Sequence, residues 1–251
     1  MENKQLSIII PCYNEERNIR LGALENVASY LAKKKFSYEV IIIDDGSVDE
    51  SKLLIKKFIS SNPKFRLIHK KHQGKAAAVI AGLLHAKNEY VFFTDLDQAT
   101  PINQTEVILP WFDKGYDVVI GSRNRKRKGA PLLRIAMARG FMVIRNLVLN
   151  LGIKDTQCGF KAFKKEVLND VIPRLQVYNL ERGAQGSTVT AGFDVEFLYV
   201  AKLLGYKIAE VPVEWHYQET RHINPFKDSW EGLIGLLKIR LNSMKGLYKE
   251  A

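Results

Sequence analysis

Cysteine is nearly missing: the 251 residues include two, Cys12 and Cys158. That excludes a disulfide framework and a cysteine-rich zinc site, and two lone thiols point to the reducing cytoplasm. Long apolar runs are missing as well. Val40–Ile43, Tyr90–Phe93 and Leu233–Leu237 fall far short of the ~18 residues of a membrane span. The amino terminus leads directly into a strand pattern, so no signal peptide is expected. Two nucleotide signatures are absent. Gly74-Lys75 resembles the end of a Walker A loop, but His69 occupies the first glycine position and Ala76 the Ser/Thr position. No Gly-x-Gly-x-x-Gly follows the first strand, which disfavours a dinucleotide-binding domain. Acidic residues are in deficit: 27 Asp+Glu against 38 Lys+Arg leave a net charge of +11. That balance favours an anionic partner, whether nucleotide phosphate, lipid phosphate, an anionic membrane or nucleic acid.

What is present is a regular alternation. Apolar strand patterns at Leu6–Pro11, Tyr38–Asp44, Phe65–His69, Tyr90–Thr94 and Tyr116–Gly121 alternate with helical stretches. The first helix is expected after an Asn14 N-cap and runs through Leu21, Leu24, Val27 and Leu31. The others begin near Asp49, span Ala76–Ala86, and span Asn103–Lys114. Such alternation predicts an α/β fold, a mainly parallel sheet with helices on both faces, whose ligands bind at the carboxyl ends of the strands. Asn14, Asp44 with Asp45, and Asp95 with Asp97 all fall at such ends. Two carboxylates at one tip suit a hard divalent cation, Mg2+ or Mn2+, shared with the phosphates of a nucleotide. Asp97 also suits a capping role in a plain turn.

After residue 121 the pattern is less regular. Arg123–Lys128 is a dense basic run, followed by a helix over Leu132–Leu149. A loop over Asp155–Lys161 enters a short strand, and a helix follows near Lys164–Ile172. A mobile loop is expected over Tyr178–Gly192, a helix over Phe193–Leu204 and a strand over Tyr206–Val213. Trp230, Leu233, Ile234, Leu237, Leu241, Met244 and Tyr248 recur at helical spacing, with Lys238, Arg240, Lys245 and Lys249 mostly off that stripe. The organisation expected is therefore a domain over 1–224 and an amphipathic helix over 225–251, which either packs on the core or lies on an anionic membrane surface.

Together the motifs resemble the inverting family 2 glycosyltransferases of GT-A fold. The residues that carry the likeness are Ile8-Ile9-Ile10-Pro11-Cys12-Tyr13-Asn14-Glu15-Glu16, Ile43-Asp44-Asp45-Gly46-Ser47, Gly74-Lys75 and Asp95-Leu96-Asp97. Gly121-Ser122-Arg123, Asp155–Lys161, Gly192–Glu196 and Glu210–Val213 resemble the branch that uses polyprenyl phosphates, the dolichyl-phosphate glucosyl- and mannosyltransferases. This sequence has Asp95-Leu96-Asp97-Gln98 where many relatives carry Asp-Ala-Asp.

The resemblance implies a hexosyltransferase with a nucleotide-diphosphate sugar donor, UDP-glucose ahead of GDP-mannose. Pro11, Tyr13, Asn14, Glu15, Asp44, Asp45, Gly74, Lys75 and Asp95 are the expected nucleotide contacts. Asp97, with Asp95, is the expected metal ligand, and the cation would stabilise the departing diphosphate. A lipid phosphate is already ionised and needs cations rather than a base; Arg123, Arg134 and Arg139 are the candidates, with Arg221 and Lys227 behind them. Asp155 and Asp194 are the candidates for a base or a sugar-hydroxyl ligand. A polyprenyl-phosphate acceptor would place the enzyme peripherally on the cytoplasmic membrane face. Two other readings stand beside this one: a transferase acting on a saccharide or other soluble hydroxyl acceptor, and a basic nucleic-acid-binding protein. The latter lacks any recognition motif, and its basic run has no interleaved aromatics.

Overall fold

The computed structural model describes residues 4–123, 132–178, 192–216 and 225–249, without the side chains of 132–139 and 225–229. Val40–Ile43, an unbroken apolar run, is fully buried in strand β2 (Ser37–Asp44), as a strand covered on both faces must be. Around it lie β1 (Gln5–Cys12), β3 (Phe65–His69), β4 (Tyr90–Phe93), β5 (Val118–Arg123), β6 (Lys161–Lys164) and β7 (Ile208–Val213). They form one seven-stranded sheet in the order β3-β2-β1-β4-β6-β5-β7. The β3-β2-β1-β4 half is parallel, as is the β5–β7 pair. β6 is wedged between β4 and β5 and runs antiparallel to both.

Helices cover both faces. On one side α1 (Glu16–Arg20), α2 (Ala23–Ala32), α3 (Ser51–Ile59), α5 (Thr105–Ile108) and α6 (Pro110–Asp113) contribute to a core with Ile8, Ile10, Ile42 and Phe92. On the other, α4 (Lys75–His85), α8 (Lys165–Val171) and α9 (Phe193–Leu203) pack on Ile9, Ile43 and Phe93, joined by α7 (Leu132–Leu149) and α10 (Pro225–Met244). The expected α/β class, parallel alternation and two-sided cover are all present.

The boundaries differ from the sequence expectation for local reasons. β1 continues through Pro11, which is in register with Ile43, and ends at Cys12 opposite Asp44. The first helix is broken at Gly22, whose φ of +86° is a left-handed conformation that favours glycine. Asn14 does not cap that helix: it has φ +54° and its Oδ1 accepts the Val48 N–H at 2.9 Å. The single helix expected over 103–114 is divided into a 3-10 turn and two short helices, the last starting at Pro110. Most of the loop expected over 178–192 lies outside the described residues. α10 ends at Met244, short of the expected 251; the chain turns at Gly246 and buries Tyr248 in the core.

Candidate active site

The tips of β1 and β2 are zipped together. The Asn14 N–H donates to Ser47 Oγ at 3.0 Å and the Glu15 N–H to Ser51 Oγ at 2.8 Å. Asp44, fully buried, accepts the Ser47 N–H at 3.0 Å and pairs with His69 Nδ1 at 2.7 Å. Asp45 is equally buried and organises the segment after β3. It accepts the Gly74 N–H at 2.7 Å and the Gln73 N–H at 3.1 Å, and pairs with Lys70 at 3.1 Å and His72 at 2.8 Å. A buried carboxylate needs such partners. The Tyr13 ring stacks on His72, with centroids 4.0 Å apart. Asp44 and Asp45, expected beside the nucleotide, hold the loops at the tips of β2 and β3 in place.

Asp45 also sets the next link. Gly74 precedes α4 with φ 92° and ψ 165°, a region essentially reserved for glycine. Its N–H is held by Asp45, and the following residue, Lys75, points its ammonium at Asp95 Oδ1, 2.6 Å away. Burial alone would lower the Lys75 pKa, but Asp95, with Asp194 and Asp97 behind it, outweighs that and raises it. One lysine therefore reports three carboxylates within electrostatic reach.

Asp95 follows β4, and Asp97 sits in a tight turn that its own Oδ1 closes by accepting the Ala99 N–H at 3.0 Å. From β6, Lys161 reaches the same place. It is 2% exposed, donates to the Cys158 carbonyl and lies 2.8 Å from Asp194 Oδ1. That contact is an ion pair. Asp194 lies in the first turn of α9.

Arg123 and Asp155 form a third unit. Both Arg123 Nε and Nη2 donate to the Asp155 carboxylate at 2.7 Å, and the Arg123 N–H adds a bond of 3.0 Å. The guanidinium also lies over Trp215, 5.8 Å from the ring centroid. Burial would lower the Arg123 pKa; Asp155 raises it above the ordinary value, with Cys158 and Asp95 adding to that effect. Glu210 secures the loop by accepting the Lys154 and Asp155 N–H groups and the Ser122 hydroxyl. In this arrangement Asp155 is the counterion of Arg123. The side chains of Arg134, Arg139 and Lys227, and all of Arg221, lie outside the described residues.

Four participants, Lys161, Glu196, His69 and His72, have no role assigned from the sequence. Lys161 was legible as a lysine amid Phe160, Ala162 and Phe163, a place where a charge must find a partner. Glu196, fully buried, accepts the N–H groups of Gln176, Val177 and Tyr178 and the Tyr248 hydroxyl, at 2.8 to 3.0 Å. Burial nonetheless raises its pKa. The pairing of His69 and His72 with the β2 carboxylates carried no local signal.

No group of three or more His, Cys, Asp or Glu side chains is gathered into a metal cluster among the described residues. Asp95 and Asp97 are two hard oxygen donors, which fits a cation that takes its remaining ligands from phosphate and water.

The family model described as glycosyl transferase family 2 matches residues 7–172. A dolichyl-phosphate β-glucosyltransferase of Dictyostelium discoideum is 36% identical over 99% of this chain and 78% of its own length. The Homo sapiens protein of the same name is 32% identical over 98% of this chain and 78% of its own length. Among solved structures, glucosyl-3-phosphoglycerate synthase of Mycobacterium tuberculosis bound to UDP superposes with a TM-score of 0.64 at 20% identity, covering 94% of this chain and 80% of that one. The mannosyltransferase PcManGT of Pyrobaculum calidifontis, in complex with GDP-Man and Mn2+, gives 0.55 at 16% identity, covering 99% and 76%. These structural likenesses speak to the fold, and the sequence matches to the family: this chain belongs to glycosyl transferase family 2.

Proposed function

We propose that this protein transfers glucose from UDP-glucose to a polyprenyl phosphate of the dolichyl type, with inversion at the anomeric carbon. The observation that carries the reading is the near full-length match to dolichyl-phosphate β-glucosyltransferases, joined to a strand-tip site in which Asp95, Asp97, Asp194, Lys75 and Lys161 converge. Asp97 and Asp95 would hold Mg2+ or Mn2+, which supplies Lewis-acid charge to the diphosphate. Tyr13, Asn14 and Glu15 line the nucleotide end, in loops held by Asp44 and Asp45. Lys75, at the start of α4, offers its ammonium to phosphate oxygens.

Displacement at the anomeric carbon by a lipid phosphate needs no general base, because that nucleophile is ionised at neutral pH. It needs a fixed cation. Arg123 is one, pinned by Asp155 and Trp215; Arg134 and Arg139 on α7 are proposed to extend it. Asp194 then serves as a ligand for a sugar hydroxyl. Both cysteines are free and buried, in keeping with a reducing compartment and a reaction on the cytoplasmic side.

A second reading rests on Asp194 itself. A carboxylate at the start of α9, with the Lys161 ammonium as its counterion 2.8 Å away, would serve a saccharide acceptor as general base. Labelled UDP-glucose tests both. Radiolabel passing into the organic phase as a β-linked glucosyl phosphate supports the first reading. Label appearing only in water-soluble glucosides supports the second and overturns the first.

A further inference from the structure

Two ammonium groups face the Phe93 ring, those of Lys75 and Lys161, each 5.6 Å from its centroid. Their surroundings differ. The Lys75 side chain is 43% exposed and that of Lys161 2%, so Lys75 is placed to touch a substrate and Lys161 is not. Lys161 opens β6, in register with Phe93 of β4 on one side and Ile120 of β5 on the other. Both neighbours are buried. An ammonium set there forfeits its hydration, and an apolar side chain of similar volume commonly fills such a place with no loss of stability. Packing alone therefore gives no reason for a lysine inside this sheet.

Its contacts supply one. Lys161 Nζ lies 2.8 Å from Asp194 Oδ1 and donates to the Cys158 carbonyl. Cys158 belongs to the loop that begins at Asp155, the counterion of Arg123. Phe93 ends β4, two residues before Asp95. Asp194 comes from a separate element, the first turn of α9. One buried side chain thus joins the strand that leads to Asp95 and Asp97, the loop that fixes Arg123, and the carboxylate offered by α9.

We propose that Lys161 is a positioning residue: it fixes the Asp194 carboxylate relative to Asp95 and Asp97, so that Asp194 binds a hydroxyl of the transferred sugar, and it does not touch substrate itself. A carboxylate in the first turn of a helix has several rotamers open to it. A counterion anchored in the sheet selects one. Misplacement by about 1 Å at a reacting centre costs about a hundredfold in rate. The inference deepens the proposed function and rests on it for the role of Asp194.

The experiment is a double-variant cycle on the full chain. Lys161→Met removes the charge and keeps the length, Asp194→Asn keeps the shape of the partner, and a third protein carries both. Binding of UDP and of UDP-glucose with Mn2+ is measured by titration calorimetry, and transfer to a short prenyl phosphate by initial rates. Lys161→Met should bind UDP within about twofold of wild type, which also verifies folding of the nucleotide end. It should lose most of the extra affinity that glucose adds to UDP, and its kcat should fall by about a hundredfold with little change in KM for the acceptor. Asp194→Asn should show the same losses, and the double variant should be no worse than either, because residues that act as a unit are not additive. Lys161→Arg, which keeps a cation, should recover about tenfold of the loss in kcat. Where Lys161→Met alone does not fold, the double variant leaves neither charge unpaired and still decides: turnover equal to that of Asp194→Asn supports the pairing. Wild-type kcat in Lys161→Met overturns the proposal. So do losses that multiply in the double variant, and so does a fall in UDP affinity that matches the fall in turnover. A wild type that binds UDP-glucose but turns over no prenyl phosphate would count against the proposed function, and the calorimetric comparison would then decide on Lys161 by itself.

Discussion

Gly159 and Asp95 are in direct apposition: a Cβ built on Gly159 would lie 2.0 Å from Asp95 Oδ2 and 2.6 Å from its Cγ. The loop between α7 and β6 therefore presses its backbone against the carboxylate that Lys75 holds from the other side. Only a residue without a side chain permits both contacts. Gly159→Ala should displace Asp95 and lower kcat by about tenfold to a hundredfold, in line with the cost of ångström-scale misplacement. The melting temperature should move by only a few degrees. Turnover and thermal unfolding of the variant check this.

Arg123 and Asp155 make a separable prediction. If Asp155 orients Arg123 toward an acceptor phosphate, Asp155→Asn should raise KM for the acceptor about tenfold or more, because the charged bidentate pair is lost. The shape of the pH profile should stay unchanged. A variant that instead loses the limb of the profile attributable to an ionising base would restore Asp155 to that role. Initial rates across pH, at several acceptor concentrations, separate the two.

Glu196 ties the start of the 176–178 segment to the buried end of the chain. Glu196→Ala leaves three backbone N–H groups and the Tyr248 hydroxyl without their acceptor. The expected loss is about 3 kcal/mol or more, since buried donors without partners cost about 1–3 kcal/mol each and the effects of neighbours are not additive. Tyr248→Phe removes one donor and should cost about 1–2 kcal/mol. Urea unfolding of both variants measures the difference.

Burial, reinforced by Asp44 and Glu15, pushes the Cys12 thiol from its ordinary 9.0 to about 12. Burial also pushes Cys158 upward. The thiolate is the reactive form, so neither cysteine should react with a disulfide reagent at pH 8 in the native protein, and both should react once it is unfolded. The sign for stability follows. A thiol whose folded pKa is raised contributes fully below the unfolded value, and that contribution is lost as pH climbs from about 9 toward 12. A fast-reacting thiol in the native protein would contradict this.

How far the sequence could be read depended on how local each signal was. β2 was legible because Val40–Ile43 is an unbroken apolar run, and the carboxylates at its tip stood out for the same reason. β6 has four residues, and nothing in them announces that it inserts antiparallel between β4 and β5. The helix break at Gly22 and the division at Pro110 lay in residues known to interrupt helices, but the apolar spacing across them masked both. Asp155 was visible as a carboxylate at the start of the loop that enters β6. Its partner is 32 residues earlier in the chain, so its pairing with Arg123 could be seen only in three dimensions. Glu196 shows the same limit: its burial is a property of the assembled core, whereas Lys161 sits among Phe160, Ala162 and Phe163 and only its partner, Asp194, is hidden from the sequence.

Asp97 is the residue on which the proposed metal-assisted transfer from a nucleotide sugar to a lipid phosphate turns. The most direct measurement is UDP release from UDP-glucose with Mn2+ or Mg2+, with and without a polyprenyl phosphate, for the wild type and for Asp97→Ala. Release should require both the lipid phosphate and the cation, and should fall by about a hundredfold or more in Asp97→Ala, the scale seen when charge stabilisation is removed. Release that is indifferent to the lipid phosphate, or that survives Asp97→Ala, would contradict it.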